Sequence, residues 1–250
     1  AYAYALSKKP KYARRAIQIL VRLAHCYRNW LYHDYWDTVA DCDPLYAAYH
    51  DKRLPLEWKR HLCGGAFQKD TLERASMLQT YWGAGRFHPS TDSIARLAAL
   101  ARAYDLVYEA RDGTGTPLWQ RGDRAKVESD LLLEYLMGAE PYVGGPGKAT
   151  NFNNKTPRIY HAMAAVARCL GIPQWADTAL RGYEGIRDRS FEFDGFSRES
   201  PAYTNMYLSQ LAYIPERLHG FRWPEDLSGR QGTVDLYRSD SRVRRMYSTR

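Results

Sequence analysis

Apolar residues recur at intervals of three and four along most of the chain, and Pro, Gly or Asn mark the ends of these periodic segments. This spacing is typical of amphipathic helices. It predicts helices over 1–6, 10–30, 70–82, 94–109, 123–138, 156–171, 173–189 and 200–219. No alternating pattern of convincing length predicts a strand. The chain is therefore predicted to be all-α, with helix pairs that suit either a bundle or an (α/α) toroid.

The same pattern predicts which residues form the core and where helices begin. Candidate N-caps are Ser90, Thr91, Asp123 and Thr156, Ser200-Pro201 starts the last helix, and Pro residues fit the first turns at positions 10, 157, 173 and 201. Gly171 suits the left-handed position after a helix. The predicted core stripes contain Ala13, Ile17, Leu20, Val21, Ala24 and Tyr27, then Leu97, Leu100, Ala101, Tyr104 and Val107, then Val127, Leu131, Leu132 and Leu136.

The charge balance indicates an acidic partner. Of the 250 residues, 36 are basic and 28 acidic, which gives a net charge of +8. A positive charge of this size would attract nucleic acid, an anionic polysaccharide or a membrane surface. Zinc-finger spacing, an RNA-binding aromatic signature and a basic-zipper pattern are all missing from the sequence, which disfavours nucleic acid.

Other composition features narrow the class further. Hydrophobic residues make up 45% of the chain, as in globular proteins. No apolar run approaches the roughly 20 residues that cross a bilayer. The four cysteines (Cys26, Cys42, Cys63 and Cys169) show no CxxC spacing and permit no disulfide assignment. Since the chain opens inside a helical pattern without an initiator Met, we expect an internal fragment whose compartment cannot be inferred from a signal peptide.

Two polar signatures each open a helix, with one further helix between them. The first is Asn-Phe-Asn-Asn-Lys-Thr-Pro at 151–157, and the second runs from Phe193 to Tyr203. Such a layout can bring two helix N-termini and their side chains beside one pocket. We therefore expect the candidate site here.

The second signature resembles a known family. Asp194-Gly195, Glu199-Ser200-Pro201 and Tyr203 resemble the DG…ESP.Y signature of the heparinase II/III-like polysaccharide lyases, the group that includes alginate and heparin-type lyases. The asparagine cluster resembles that family's Asn-containing loop, although this match is only partial. Residues 3–23 and 103–105 resemble earlier helices of the same fold, so the resemblance covers about 1–220.

The resemblance implies an incomplete, N-terminally truncated (α/α) toroid over 1–220, with 221–250 leading into a further toroid helix. It implies β-elimination at a 4-linked uronic acid, which needs a neutralised carboxylate, a base for the C5 proton and an acid for the leaving oxygen. The expected partner is an anionic polysaccharide or oligosaccharide, with no nucleic acid and no membrane span. No cofactor is expected in this segment, although a structural metal is compatible with a downstream domain. The implied location is periplasmic or extracellular, and the oligomeric state stays open.

The resemblance also implies residue roles. Tyr203 matches the catalytic tyrosine, and Asn154 is our first choice, ahead of Asn151, for the group that binds the substrate carboxylate. Further substrate-binding candidates are Asn153, Lys155, Arg158, Arg198 and Tyr207. Asp194, Gly195 and Glu199 are structural parts of the motif, with Glu199 expected as a capping partner. Capping by Asn153 and Asn154, and packing of Tyr203 at a helix start, are the competing interpretations.

One departure leaves other functions open. Lys155 stands where many relatives carry the histidine that serves as base, and a lysine base needs a strongly lowered pKa. His88 and His161 are poor substitutes, since His161 lies at a core-like helical position. A glycoside hydrolase, which needs two carboxylates across a cleft, and a non-catalytic glycan-binding module are the alternatives.

Overall fold

The structure is a computed structural model that describes residues 1–30, 32–34, 40–42, 83–85, 93–225, 227, 229–239, 242 and 245. These residues are mainly helical, as predicted, and the strands among them are few and short. A π-helical segment (Glu128–Leu133) joins α4 to α5. The helices are α1 (Tyr2–Ser7), α2 (Pro10–Tyr27), α3 (Ser93–Val107), α4 (Asp123–Val127), α5 (Glu134–Val143), α6 (Thr156–Leu170), α7 (Pro173–Ser190), α8 (Pro201–Leu211), α9 (Tyr213–Leu218) and α10 (Leu236–Ser239).

Several predictions concern residues outside the described ranges. These are the helix over 70–82, the caps Ser90 and Thr91, Cys63 and His88.

The chain divides into two compact units, unit 1 (Ala1–Pro141) and unit 2 (Tyr142–Arg250). Each unit is described by itself below.

Unit 1 is built on α2, which packs against α1, α3, α4 and the π-helical segment. Most of the predicted core is confirmed, because every predicted residue is buried except Val21 and Leu100, which are partly exposed. The Tyr27 ring stacks on Tyr135 with ring centroids 4.4 Å apart. The Tyr104 hydroxyl donates a hydrogen bond to Glu128, where the π-helical segment begins. The helices of unit 1 therefore close on a core of apolar stripes and tyrosine rings.

A small antiparallel sheet belongs to unit 1. Its strands are β1 (Tyr32–Asp34), β2 (Ala40–Cys42) and β3 (Gly83–Gly85), and β1 lies between the other two. Tyr32 pairs with Cys42 and with Gly85. Strands of three residues are too short to show a hydrophobic period, which explains why the sequence pattern did not predict them.

Unit 2 is organised around α6, which packs against α7, α8 and α9. Every residue from Thr156 to Ala167 is buried except Arg158. The helix ends as predicted, with Gly171 in the left-handed conformation at a φ of 68° and its N–H bonded to the Ala167 carbonyl. Tyr160 packs so closely on Gly182 of α7 that a Cβ there would overlap its ring. The absence of a side chain at Gly182 therefore fixes the close contact between α6 and α7.

The predicted helix over 200–219 is in fact two helices. It is interrupted at Ala212, between α8 and α9. Pro215 explains the interruption, because it has no N–H to donate to the Leu211 carbonyl and its ring crowds that carbonyl. The predicted cap at Thr156 also differs, since Thr156 is the first helical residue and Lys155 holds the cap position.

Two hairpins with the same backbone geometry each link one helix to the next. The first spans 111–117 in unit 1, and the second spans 191–197 in unit 2. The same number of residues separates 111 from 191 and Gly115 from Gly195. Both glycines take the left-handed conformation, at φ of 85° and 96°. The hydrogen bonds also correspond. Each hairpin has three backbone N–H to carbonyl hydrogen bonds, all between 2.7 and 3.1 Å. In unit 1 they run from Asp112 N to Thr116 O, from Gly115 N to Asp112 O and from Leu118 N to Ala110 O. In unit 2 the equivalent bonds run from Glu192 N to Phe196 O, from Gly195 N to Glu192 O and from Arg198 N to Ser190 O.

The core of unit 2 contains a histidine whose protonation opposes folding. The His161 ring stacks on Tyr213 at 4.8 Å. Burial, together with the nearby Arg217 charge, lowers the pKa of His161 to about 4, and the Gln210 side chain only partly opposes this. The folded state thus binds fewer protons than the unfolded state between pH 4 and 6.5. The stability that neutral His161 allows is therefore present above about pH 6.5 and is lost as the pH falls.

We expect acidification from pH 7 to 5 to lower the free energy of unfolding of unit 2 by about 2 kcal/mol through His161. Urea unfolding at both pH values, compared between the wild type and His161→Gln, measures this share, since glutamine does not titrate. His219→Gln is the matched control in the same unit, because His219 is exposed. An equal pH dependence in the wild type and His161→Gln would contradict the prediction.

Candidate active site

The asparagine loop before α6 is held by its own side chains. The Asn153 amide oxygen accepts the Lys155 N–H at 2.9 Å, and its amide nitrogen donates to Asn151 Oδ1 at 3.0 Å. The Tyr160 hydroxyl donates to the Asn151 carbonyl at 2.7 Å. Asn151 and Asn153 therefore hold the loop in place, which matches the competing interpretation of Asn153 as a turn residue.

Asn154 and Lys155 follow the two asparagines that hold the loop, and both are half-buried. The Asn154 side chain has no hydrogen bond to another residue of the described chain. Burial lowers the pKa of the Lys155 ammonium below the ordinary value. The loop thus holds one amide that is available to a ligand beside one partly desolvated cation.

The second signature forms the hairpin of unit 2. The Asp194 carboxylate accepts the Phe196 N–H at 3.0 Å, and Gly195 supplies the left-handed turn. The expected structural role of Asp194 and Gly195 therefore has a direct geometric basis. Glu199 is exposed, and α8 begins at its Ser200 cap without a side-chain capping bond, so the expected capping by Glu199 is not observed.

Tyr203 lies in the first turn of α8. It is 45% exposed, and its hydroxyl makes no hydrogen bond to any other described residue. The exposed ring leaves the phenol accessible to a ligand.

Both helix starts lie beside the C-terminal end of α7. On one side, the Phe152 ring packs on Gly185, and the Arg189 guanidinium lies 4.3 Å from the Phe152 ring centroid. On the other side, the Arg198 N–H donates to the Ser190 carbonyl at 2.9 Å, which returns the hairpin to the end of α7 just before α8. Since α6 also contacts α8, the asparagine loop and the start of α8 occupy the same end of unit 2.

The remaining predicted site residues differ in accessibility. Arg158 is half-buried in the first turn of α6. Arg198 is exposed and forms an ion pair with Glu192, with Nε 2.7 Å from Oε1. Tyr207 is only 2% exposed, with its ring edge against Phe191, so it belongs to the core in this structure. Burial raises the pKa of Tyr207, as does the nearby Glu199 carboxylate, while the Ser190 hydroxyl 3.4 Å away opposes the rise.

Two clefts formed by described residues contain no residue of the predicted site. Their volumes are about 500 and 310 Å³, and both are lined by unit 1 residues. Among the described residues, no group of His, Cys, Asp and Glu could hold a metal ion. None of the described helices has the length and apolar character needed to span a membrane.

Sequence reasoning missed the cleft and hairpin of unit 1 and a partly buried ion cluster in unit 2. Residues 111–122 fall between the predicted helices over 94–109 and 123–138, and no element was predicted there. The Asp112-Gly113 pair and the repeated position of Gly115 and Gly195 are the signals that could have identified the second hairpin. This cluster joins Arg230 to the buried Asp177 and to Glu184, and Arg230 is too far from both in the sequence to give a local pattern.

No family model matches this chain, and no curated protein or solved structure matches it either. The likeness to the heparinase II/III-like lyases rests on the motifs quoted above.

Proposed function

We propose that this protein is a polysaccharide lyase that cleaves a uronate-containing anionic glycan by β-elimination on an incomplete (α/α) toroid. One observation carries the proposal. Asn154 and Lys155 lie at the start of α6, an exposed Tyr203 lies at the start of α8, and both starts lie at the same end of α7. These groups supply an amide donor, a cation and a phenol, which are the types of group that the elimination needs.

The proposed chemistry assigns one role to each group. The C5–H bond breaks as its proton passes to a base, its electrons form the C4–C5 double bond, and the C4–O bond breaks. Tyr203 protonates the leaving oxygen and, when it starts as the phenolate, is also the base that takes the C5 proton. Charge spreads into the carboxylate as C5 loses its proton, and a donor such as the Asn154 amide stabilises that charge. The N-terminus of α6 adds its positive dipole end to the same region.

Asn154 and Lys155 should affect different kinetic constants. We expect Asn154→Ala to lower kcat by about 100-fold with a small change in KM, since the amide acts mainly in the transition state. Asn153→Ala is the matched control. It removes hydrogen bonds that hold the loop, so it should cost about 1 kcal/mol of stability with a smaller effect on kcat. Steady-state kinetics of the full-length gene product measure both constants.

Lys155→Ala should mainly raise KM and weaken the salt dependence of binding, because Lys155 attracts the anionic sugar without distinguishing the transition state. Since the pKa of Lys155 is lowered, this affinity should fall with rising pH before an ordinary lysine loses its charge. Lys155→Arg, which keeps its charge, should remove that pH dependence. If Lys155→Ala abolished kcat while Asn154→Ala changed only KM, the roles would be reversed and Lys155 would be the base.

The reaction type has its own test. A lyase releases a product with a C4–C5 double bond, which absorbs in the ultraviolet. A glycoside hydrolase instead incorporates oxygen from solvent water into the new reducing end without that absorbance. Uronate oligosaccharide incubated in ¹⁸O-labelled water and analysed by absorbance and mass spectrometry separates the two. Binding with neither product would favour the glycan-binding module.

A further inference from the structure

Unit 1 contains a basic cleft of about 500 Å³. One side is a stripe of α2 that carries Arg14, Gln18, Arg22 and His25, all exposed. The other side is the segment after the hairpin of unit 1, which contributes Gln120 and Asp123. We propose that this cleft binds an anionic oligosaccharide as a subsite of its own. The choice of a uronate ligand rests on the proposed function.

The two arginines are available to an anion. Neither guanidinium forms an ion pair within the part of the chain that the structure describes. The Thr114 hydroxyl is the largest cause of the lowered pKa of the Asp112 carboxyl, to which the Arg14 charge contributes weakly, without an ion pair. The Asp112 carboxylate also accepts hydrogen bonds from the Thr114 and Thr116 N–H groups, each at 2.9 Å. Two exposed guanidinium groups without a bound carboxylate favour an external anionic ligand.

The spacing of the arginines favours a ligand with several anionic groups. Arg14 and Arg22 are separated by about two helical turns, or roughly 12 Å along α2. A small anion would engage one guanidinium at a time, whereas a chain with carboxylates at intervals can engage both.

The rest of the lining favours a sugar over a nucleic acid. The Gln18 and Gln120 amides can donate to and accept from hydroxyl groups, and the Asp123 carboxylate accepts from hydroxyl groups. Ile17 and Leu118 supply apolar surface for the C–H face of a pyranose ring. Phe, Tyr and Trp side chains, which provide the large rings on which single-stranded bases stack, are missing from the described lining of this cleft.

The position of the cleft gives an independent argument. The hairpins of the two units correspond at a constant offset, and at that offset Gln120 matches Ser200 and Asp123 matches Tyr203. The cleft therefore lies at the same hairpin-to-helix junction that carries Tyr203 in unit 2. With Asp123 in place of the tyrosine, the unit 1 junction lacks the phenol, so it is a binding site without the catalytic group.

Calorimetric titration of the full chain with a 4-linked hexuronate hexasaccharide tests the subsite. We expect Arg14→Gln/Arg22→Gln to weaken binding at least 10-fold, since two charge-assisted contacts are lost. Lys11→Gln/Arg15→Gln is the matched control. It removes the same charge from α2 outside the cleft and should change affinity less than about 3-fold. The two double variants are also combined with Tyr203→Phe. In that background, the loss of affinity caused by Arg14→Gln/Arg22→Gln should be the same.

Each outcome decides the proposal. Equal loss of affinity in the two charge pairs would overturn it, as would no binding by the wild type. Equal affinity for a single-stranded oligonucleotide, lost in the same Arg14/Arg22 variant, would also overturn it in favour of a general polyanion site. Full affinity in Arg14→Gln/Arg22→Gln with lyase turnover intact would remove the subsite and leave the proposed function. Loss of affinity in that variant without any lyase product from the wild type would keep the subsite and remove the proposed function.

Discussion

Tyr203→Phe should lower turnover of a uronate glycan by at least about 100-fold, as loss of a general acid–base group typically does. The substitution removes only the hydroxyl, which is exposed and bonded to no other described residue, so stability should change little. Substrate affinity should also be nearly unchanged, since the hydroxyl acts on the leaving oxygen. Initial rates from the ultraviolet absorbance of the unsaturated product give turnover and KM, and urea unfolding gives stability.

Tyr213→Phe is the matched control for this experiment. Tyr213 lies in the same unit and is also 45% exposed, but it begins α9 and stacks on His161. Its turnover should stay near that of the wild type. Near-wild-type turnover in Tyr203→Phe would remove the role proposed for Tyr203, and equal losses in both variants would indicate a general effect on unit 2.

Arg230→Met should destabilise unit 2 by about 3 kcal/mol, because it removes one of the two positive charges that neutralise the buried Asp177 carboxylate. Arg230 Nε lies 2.6 Å from Asp177 Oδ1, and its two terminal nitrogens reach both Glu184 oxygens at 3.1 and 3.0 Å. The Asp177 side chain is only 5% exposed, and Arg181 is its other ion-pair partner, at 2.8 Å. Urea unfolding gives the loss, and faster amide exchange in α7 would locate it in this cluster.

The exposed pair of Arg198 and Glu192 provides the control for burial. Its geometry is similar, with Arg198 Nε and a terminal nitrogen 2.7 and 3.4 Å from the two Glu192 oxygens, but both side chains are more than half exposed. Arg198→Met should therefore cost less than about 1 kcal/mol. Arg230→Lys keeps the charge without the two-pronged geometry and should fall between the two. Equal losses in Arg230→Met and Arg198→Met would contradict the explanation from burial.

The sequence by itself determined the helices and most of their buried faces. Helical periodicity, first-turn prolines and Gly171 act within a few residues, so α2, α3, α6 and α7 lie close to their predicted ranges. Predicted core positions such as Ile17, Tyr104 and Leu131 are buried for the same reason. Motif spacing also identified the two loop-then-helix segments, but it did not separate the roles of neighbouring asparagines.

Tertiary structure alone decided how those residues are used. Asn153 and Asn154 are adjacent and chemically identical, yet only Asn153 holds the loop, because the backbone path places the Lys155 N–H and Asn151 within its reach. Tyr203 and Tyr207 lie one turn apart on α8, but packing against Phe191 buries Tyr207 and leaves Tyr203 exposed. The Arg230 cluster and the cleft of unit 1 join segments distant along the chain. Such contacts depend on how helices pack, and no local period or spacing encodes them.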